Sequence, residues 1–276
     1  MILEKTVEFI KQIYKIHEIV PPKISKVVIG LGYTGVEVSA YTLEPILGLA
    51  STLPSVINSV NCSKIKFAGN LTNKKLLELL EWSYLTPSLK KIIGIATLNA
   101  VSQHILRIKN PYSKLIGDPF DFLEINQDTS ITIIGLMKPL IQKLRKKTVN
   151  ITLVEDTIST PKEFSEFNFR TNIDELEKEE ISTDILFCTG TSLINNTIEK
   201  ILNLFKNKAR KTIVMGPSVG LLPDILFDYG VDIVGGMEIT NSEETLKILQ
   251  EGGGTQLFKK FGKKYNLIKK QPIIVL

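Results

Sequence analysis

With 276 residues, 43% hydrophobic and 23% charged, the chain has the length and balance of one large or two small folded domains. No apolar run reaches the roughly 20 residues that cross a bilayer, and the opening Met1-Ile-Leu-Glu-Lys-Thr6 mixes acid and base too early for a secretion signal, so the cytoplasm is the expected compartment. The formal charge of +5 comes from lysine-rich stretches at Lys143 to Lys147, Lys206 to Lys211 and Lys259 to Lys270; without interleaved aromatic platforms these read as solvated surface, and a nucleic-acid partner ranks last.

In chain order, Leu3, Val7, Ile10, Tyr14 and His17 repeat at helical spacing, and Pro21-Pro22 ends that helix. Lys26 to Gly32 reads as a strand, Val36 to Tyr41 as its hairpin partner, and Ile46 to Leu53 as a third strand completing a meander. A short helix over Asn73 to Ser83 follows. Thr86-Pro87 then opens a longer helix that runs to about Arg107. Lys109 to Asp128 is the expected inter-domain connection, dividing a 1–110 domain from a 111–276 domain.

Beyond it the rhythm changes. Ile131 to Gly135, Asn150 to Val154, Asp184 to Thr189, Thr212 to Gly216 and Val231 to Val234 are short strands, apolar on both faces. Helical stretches at Pro139 to Lys147, Leu193 to Lys206 and Leu221 to Tyr229 separate most of them, and Ser242 to Gln250 follows before Gly252-Gly-Gly254. Strands of this kind, alternating with helices, predict a parallel sheet covered on both sides.

Two strand-to-turn corners carry the chemistry. Ile185-Leu-Phe-Cys-Thr-Gly-Thr-Ser192 and Thr212-Ile-Val-Met-Gly-Pro-Ser218 run from apolar strand into small hydroxylated residues. At the carboxyl edge of a parallel sheet such corners can gather backbone N–H groups around a polar or anionic ligand. Thr191 or Ser192 can equally cap the next helix, whose first turn holds Asn195. Gly135-Leu-Met-Lys-Pro139 stands where a dinucleotide fingerprint would be and lacks its second and third glycines, so ordinary NAD or FAD is not expected; Glu155, 20 residues on, is placed for a ribose hydroxyl. Asn99, beside the apolar stripe of its helix, is either a bridge between domains or a ligand contact, and Asp118 in Gly117-Asp-Pro119 is a ligand contact or a turn cap. Cys62 and Cys188 suggest neither a disulfide nor a zinc site, Cys188 reads as a buried structural thiol, and two histidines exclude a His-rich metal centre.

Gly30-Leu-Gly-Tyr-Thr-Gly35, Gly48-Leu-Ala-Ser-Thr52, Ala96-Thr-Leu-Asn-Ala100, Gly117-Asp-Pro119, Ile134-Gly-Leu-Met-Lys-Pro139, Thr189-Gly-Thr-Ser-Leu-Ile-Asn195, Gly216-Pro-Ser218 and Glu251-Gly-Gly-Gly-Thr255, taken in this order, resemble the putative heavy-metal chelation family. The resemblance covers nearly the whole chain. It implies an α/β protein: a small α+β domain like the enolase N-terminal domain, followed by a Rossmann-like doubly wound parallel sheet, with a site in the cleft between them. Carried over by position, that site would draw on Asn99, Asp118, Glu155, Thr189, Gly190, Thr191, Asn195, Gly216, Pro217 and Ser218, with Glu155 and Asp118 as the oxygen ligands of any metal ion.

The expected function is therefore binding of a small polar or anionic molecule, a metal or a metal chelate, with backbone amides of residues 189–192 and 216–218 holding the negative part. The alternative is an enzyme acting at the same cleft on a nucleotide-like or organic-acid substrate, one carboxylate serving as general base. A homodimer is a candidate assembly.

Overall fold

The structure is a computed structural model, and it describes residues 1–41, 43–58, 66–156, 162–178 and 181–269. Cys62 lies outside them. Helix α1 (Ile2–Ile16) is followed by an antiparallel meander, β1 (Lys23–Ile29), β2 (Tyr33–Ala40) and β3 (Leu43–Ser51), in that spatial order. Short helices α2 (Pro54–Asn58) and α3 (Leu76–Glu81) lead to α4 (Leu89–Ile108). Ser88, rather than Thr86, begins α4: its hydroxyl accepts the Lys91 N–H.

Every residue of α4 from Lys91 to Leu106 is buried, Thr97, Asn99, Ser102, Gln103 and His104 included. A helix surrounded in this way has no solvent face, and its polar side chains need partners inside the protein. It lies against β2 and β3 and also meets the second half of the chain, and one apolar core takes in α1, α4 and residues of the large sheet such as Val214 and Tyr265.

That sheet has eight strands. β4 (Ser113–Ile116), β5 (Ile131–Ile134), β6 (Ile151–Val154), β7 (Asn168–Arg170), β8 (Thr183–Thr189), β9 (Ala209–Met215), β10 (Ile233–Ile239) and β11 (Gly262–Ile268) lie in the order β4-β11-β10-β9-β8-β5-β6-β7. From β5 to β10 all pairings are parallel. Numbered among themselves these six strands run 3-2-1-4-5-6, the doubly wound Rossmann order, with the chain reversing direction between β5 and β8. β11 is antiparallel to β10 and to β4.

Around the sheet stand α5 (Lys138–Leu144), α6 (Asp174–Glu177), α7 (Thr191–Ile194), α8 (Ile198–Phe205), α9 (Asp224–Asp228), α10 (Ser242–Gln250) and α11 (Thr255–Phe258). The single helix expected over 193–206 is two. Asn196 takes a left-handed backbone with φ of 64° and separates α7 from α8. The expected connection over 109–128 holds β4, and β7 and β11 join the sheet unannounced.

Candidate functional site

The carboxyl ends of β5, β8, β9 and β10 face one edge, and at the reversal between β5 and β8 the following loops diverge and leave a crevice. A cavity of about 870 Å³ opens there, lined among others by Leu136, Met137, Thr189, Met215, Gly216, Pro217, Gly235 and Asn266. A second cavity of about 510 Å³ adjoins it across β5, lined by Glu155, Asp156, Thr191 and Asn195; Leu136, Met137 and Thr189 line both. Gly135 lines the smaller cavity and packs closely against Thr189. Its φ is +95°, and a Cβ there would stand 2.5 Å from Thr189 Cγ2.

The larger cavity is mostly apolar, with a basic rim. Asp118 accepts from Lys143 Nζ at 2.8 Å and also from Lys264 Nζ. Partial burial pushes the Asp118 carboxyl up, but the two ammonium groups outweigh this and hold it below the usual aspartate value. Three lysines, Lys138, Lys143 and Lys264, line the cavity against one lining carboxylate, Asp118, whose own N–H donates to Asp121 Oδ2 at 3.3 Å. Lys143 also lies over the Phe120 ring, 4.5 Å from its centroid. The N-terminal meander contributes Tyr33, packed edge-on against Phe258 at 5.1 Å, and the Gly252–Leu257 segment closes the same side.

Glu155 dominates the smaller cavity. Its Oε2 accepts from Leu136 N at 2.7 Å. Desolvation raises its carboxyl above the ordinary value against that hydrogen bond, and Asp156 adds to the rise. The carboxylate thus holds the β5 turn as well as facing the cavity.

Several residues named from sequence do other work. Asn99 is 1% exposed and fully engaged: Nδ2 donates to Leu49 O at 2.7 Å and Ser218 O at 3.0 Å, while Oδ1 accepts from Gly220 N at 3.1 Å. The Ser218 hydroxyl accepts from Ser51 N at 2.9 Å. Both tie the β3 edge to the loop after β9, and the cleft expected between Asn99 and that loop is closed.

The two corners do adjoin, a Cβ on Gly216 reaching within 3.8 Å of Gly190 N, but the amides of these two glycines are engaged. Gly190 N donates to Met215 O and Gly216 N to Gly235 O, both at 2.9 Å, and Pro217 has no N–H. Neither Thr191 nor Ser192 caps α7: Ser192 Oγ donates to Thr189 O at 2.7 Å, and Thr189 Oγ1 accepts from Thr191 N at 3.4 Å. Gly190 lines neither cavity; a side chain there would meet Val219 Cγ2 at 2.1 Å, so a valine would force the corner or Val219 to shift.

The comparisons agree with this architecture. A family model described as "Putative heavy-metal chelation" matches residues 118–268, and a second with the same description matches 15–102. The chain belongs to the putative heavy-metal chelation family. An uncharacterized protein of Methanocaldococcus jannaschii is 26% identical over 201 residues, covering 71% of this chain and 72% of that one. Two crystal structures of DUF364-family proteins of unknown function share the fold. One, from Pyrococcus horikoshii, has a TM-score of 0.74 at 24% identity, over 98% of this chain and 100% of that one. The other, from Desulfitobacterium hafniense DCB-2, has a TM-score of 0.71 at 16% identity, over 94% and 100%.

The donors named for a metal do not make a metal site. Asp118 and Glu155 lie in different cavities, and Asp118 is already engaged by two lysines. Among the described residues no group of three or more His, Cys, Asp and Glu side chains could hold an ion. Cys188 is fully buried beside Ser192, and desolvation pushes its thiol up to about 12, far from the thiolate a soft metal needs. His104 is buried against the Tyr14 hydroxyl, 3.1 Å away. The soft atoms that do reach the larger cavity are the neutral thioethers of Met137, Met215 and Met237, which form part of its apolar lining.

Proposed function

We propose that this protein binds a small organic anion in the larger cavity at the carboxyl edge of the Rossmann-like sheet. On this reading a metal ion arrives inside an organic chelate rather than on a resident set of protein ligands. One observation carries it: Lys138, Lys143 and Lys264 line an otherwise apolar cavity against a single lining carboxylate, Asp118. A charged rim over an apolar body is the usual composition of a small-molecule site.

The ligand sits between residues of a 1–110 domain and a 111–276 domain, with Tyr33 the contribution of the first. Thr189, Gly216 and Pro217 shape its floor. Asn99, Ser218 and Gly190 support it from behind. No helix among the described residues is long and apolar enough to cross a membrane, and we assign the protein to the cytoplasm.

The test is a thermal-shift panel of organic acids, each alone and with divalent ions, on the intact protein, paired with metal analysis of the purified chain. Acids that stabilise the wild type but not Lys143→Met/Lys264→Met support the reading. A tightly held stoichiometric ion with no response to acids overturns it.

A second reading rests on Glu155, whose raised carboxyl pKa in the adjoining cavity suits a general base for a nucleotide-like or organic-acid substrate. Nucleosides that stabilise the wild type and not Glu155→Gln would favour it.

A further inference from the structure

Two buried side-chain oxygens lack a hydrogen-bond partner among the described residues, Ser102 Oγ inside α4 and Asn266 Oδ1. Of the two, Asn266 lines the larger cavity. Its side chain is fully buried, and Nδ2 donates to Gly117 O at 3.0 Å, which fixes the amide's orientation and leaves Oδ1 as the unspent end. An unpaired buried acceptor is expensive, and proteins retain few of them without a use.

The register shows what Oδ1 faces. Asn266 on β11 stands opposite Gly235 on β10, which stands opposite Met215 on β9, which stands opposite Thr189 on β8. Directly opposed residues share a face of a sheet, so this row forms one floor. At Gly235 the floor is bare, and an added Cβ would come within 3.1 Å of both Asn266 Oδ1 and Met215 Cβ. Lys264 lies two residues before Asn266 on the same face of β11, about 7 Å away along the strand, and belongs to the basic rim.

From this row, and resting on the reading of the cavity as an anion site, we infer the class of ligand. It is an amphipathic acid whose carboxylate meets the Lys143 and Lys264 rim. Its apolar body lies over Gly235 among the methionines, and an O–H or N–H at the end away from the acid donates to Asn266 Oδ1. A para-substituted phenylacetate has this layout.

The test compares 4-hydroxyphenylacetate with 4-methylphenylacetate by calorimetry on the full chain. The two are nearly isosteric and differ in the donor alone. The hydroxy acid should bind at least about tenfold more tightly, because its methyl counterpart leaves Oδ1 buried and unpaired. Gly235→Ala should abolish that preference by filling the space before Oδ1; should it not fold, Asn266→Leu serves the same comparison. Lys264→Met should weaken both acids alike. Equal binding of the two acids, still sensitive to Lys264→Met, overturns the role of Asn266 and leaves the anion site standing. No binding of either acid overturns both.

Discussion

Two regions built from the same residue types behave in opposite ways. At the junction of the small and large sheets, Asn99 has both ends of its amide paired, the Ser218 hydroxyl accepts from Ser51 N, and Gln103 Nε2 donates to Gly220 O at 2.9 Å and to Tyr265 Oη at 2.5 Å. At the carboxyl edge, Asn266 keeps a buried oxygen without a partner, and Asp118 attracts one more cation than it can neutralise. A paired buried amide holds two segments together; an unpaired one beside a cavity is capacity in reserve. For these amides, satisfaction rather than residue type separates scaffold from site.

The sharpest way to break this comparison is Asn99→Leu. It strands Leu49 O, Ser218 O and Gly220 N in the interior at once, and at about 1–3 kcal/mol per lost partner the expected cost is at least about 3 kcal/mol, read from urea unfolding. Ligand affinity of the protein that remains folded should not change. A loss of affinity without loss of stability would return Asn99 to the site. Gly190→Val is the next largest effect. Its new side chain overlaps Val219, and overpacking of this kind costs about 1–3 kcal/mol. Wild-type stability in this variant would mean that the corner yields easily.

The fold was legible where apolar pattern alone dictates an element. β5, β6, β8 and β9 are Ile- and Val-rich because both of their faces are covered. β11 hides behind Lys263 and Lys264, which read as basic surface, yet it carries Tyr265 and Leu267 into the core. β4 is a short edge strand inside a stretch of turn residues. The site divided along the same line. Thr189, Gly216 and Asp118 were visible as corner and turn residues. Tyr33, Lys143, Lys264 and Asn266 reach the cavity through distant strands and helices, and no local spacing records that. Asn99, open between bridge and ligand contact, and Ser218, expected at the site, share one cause: a sequence shows which side chains can donate and accept, not which have already done so.

Lys91 sharpens the comparison from the scaffold side. It is fully buried, and its ammonium donates to Asn196 Oδ1 at 2.6 Å and Leu85 O at 3.1 Å, which fastens α4 to the break between α7 and α8. Desolvation lowers its pKa to about 8, although Glu199 acts the other way. The unfolded chain, with an ordinary lysine, therefore binds more protons than the native state between about pH 8 and pH 10.5, so native stability should rise with pH across that window. The expected gain is on the order of 2 kcal/mol, followed by denaturant titration at pH 7.5, 8.5 and 9.5. Lys91→Met should flatten the rise. An equal rise in the variant would assign it to other groups.

Asp118 supplies the smallest effect and the most direct view of the rim. Its pKa is depressed in the folded state because the two lysines outweigh desolvation. The stability it contributes is present above the ordinary aspartate range and is lost as pH falls through the lowered native value, so the difference between wild type and Asp118→Asn should shrink below about pH 4. Both lysine side chains are half exposed, at 53% and 52%, so the contribution at neutral pH should stay under about 1 kcal/mol and fall with added salt. The same substitution leaves Lys143 and Lys264 without their counter-ion at the cavity mouth and should tighten binding of organic acids severalfold at low salt. Stability lost with no gain in acid affinity would make the cluster a surface tie and remove the charge argument for the site.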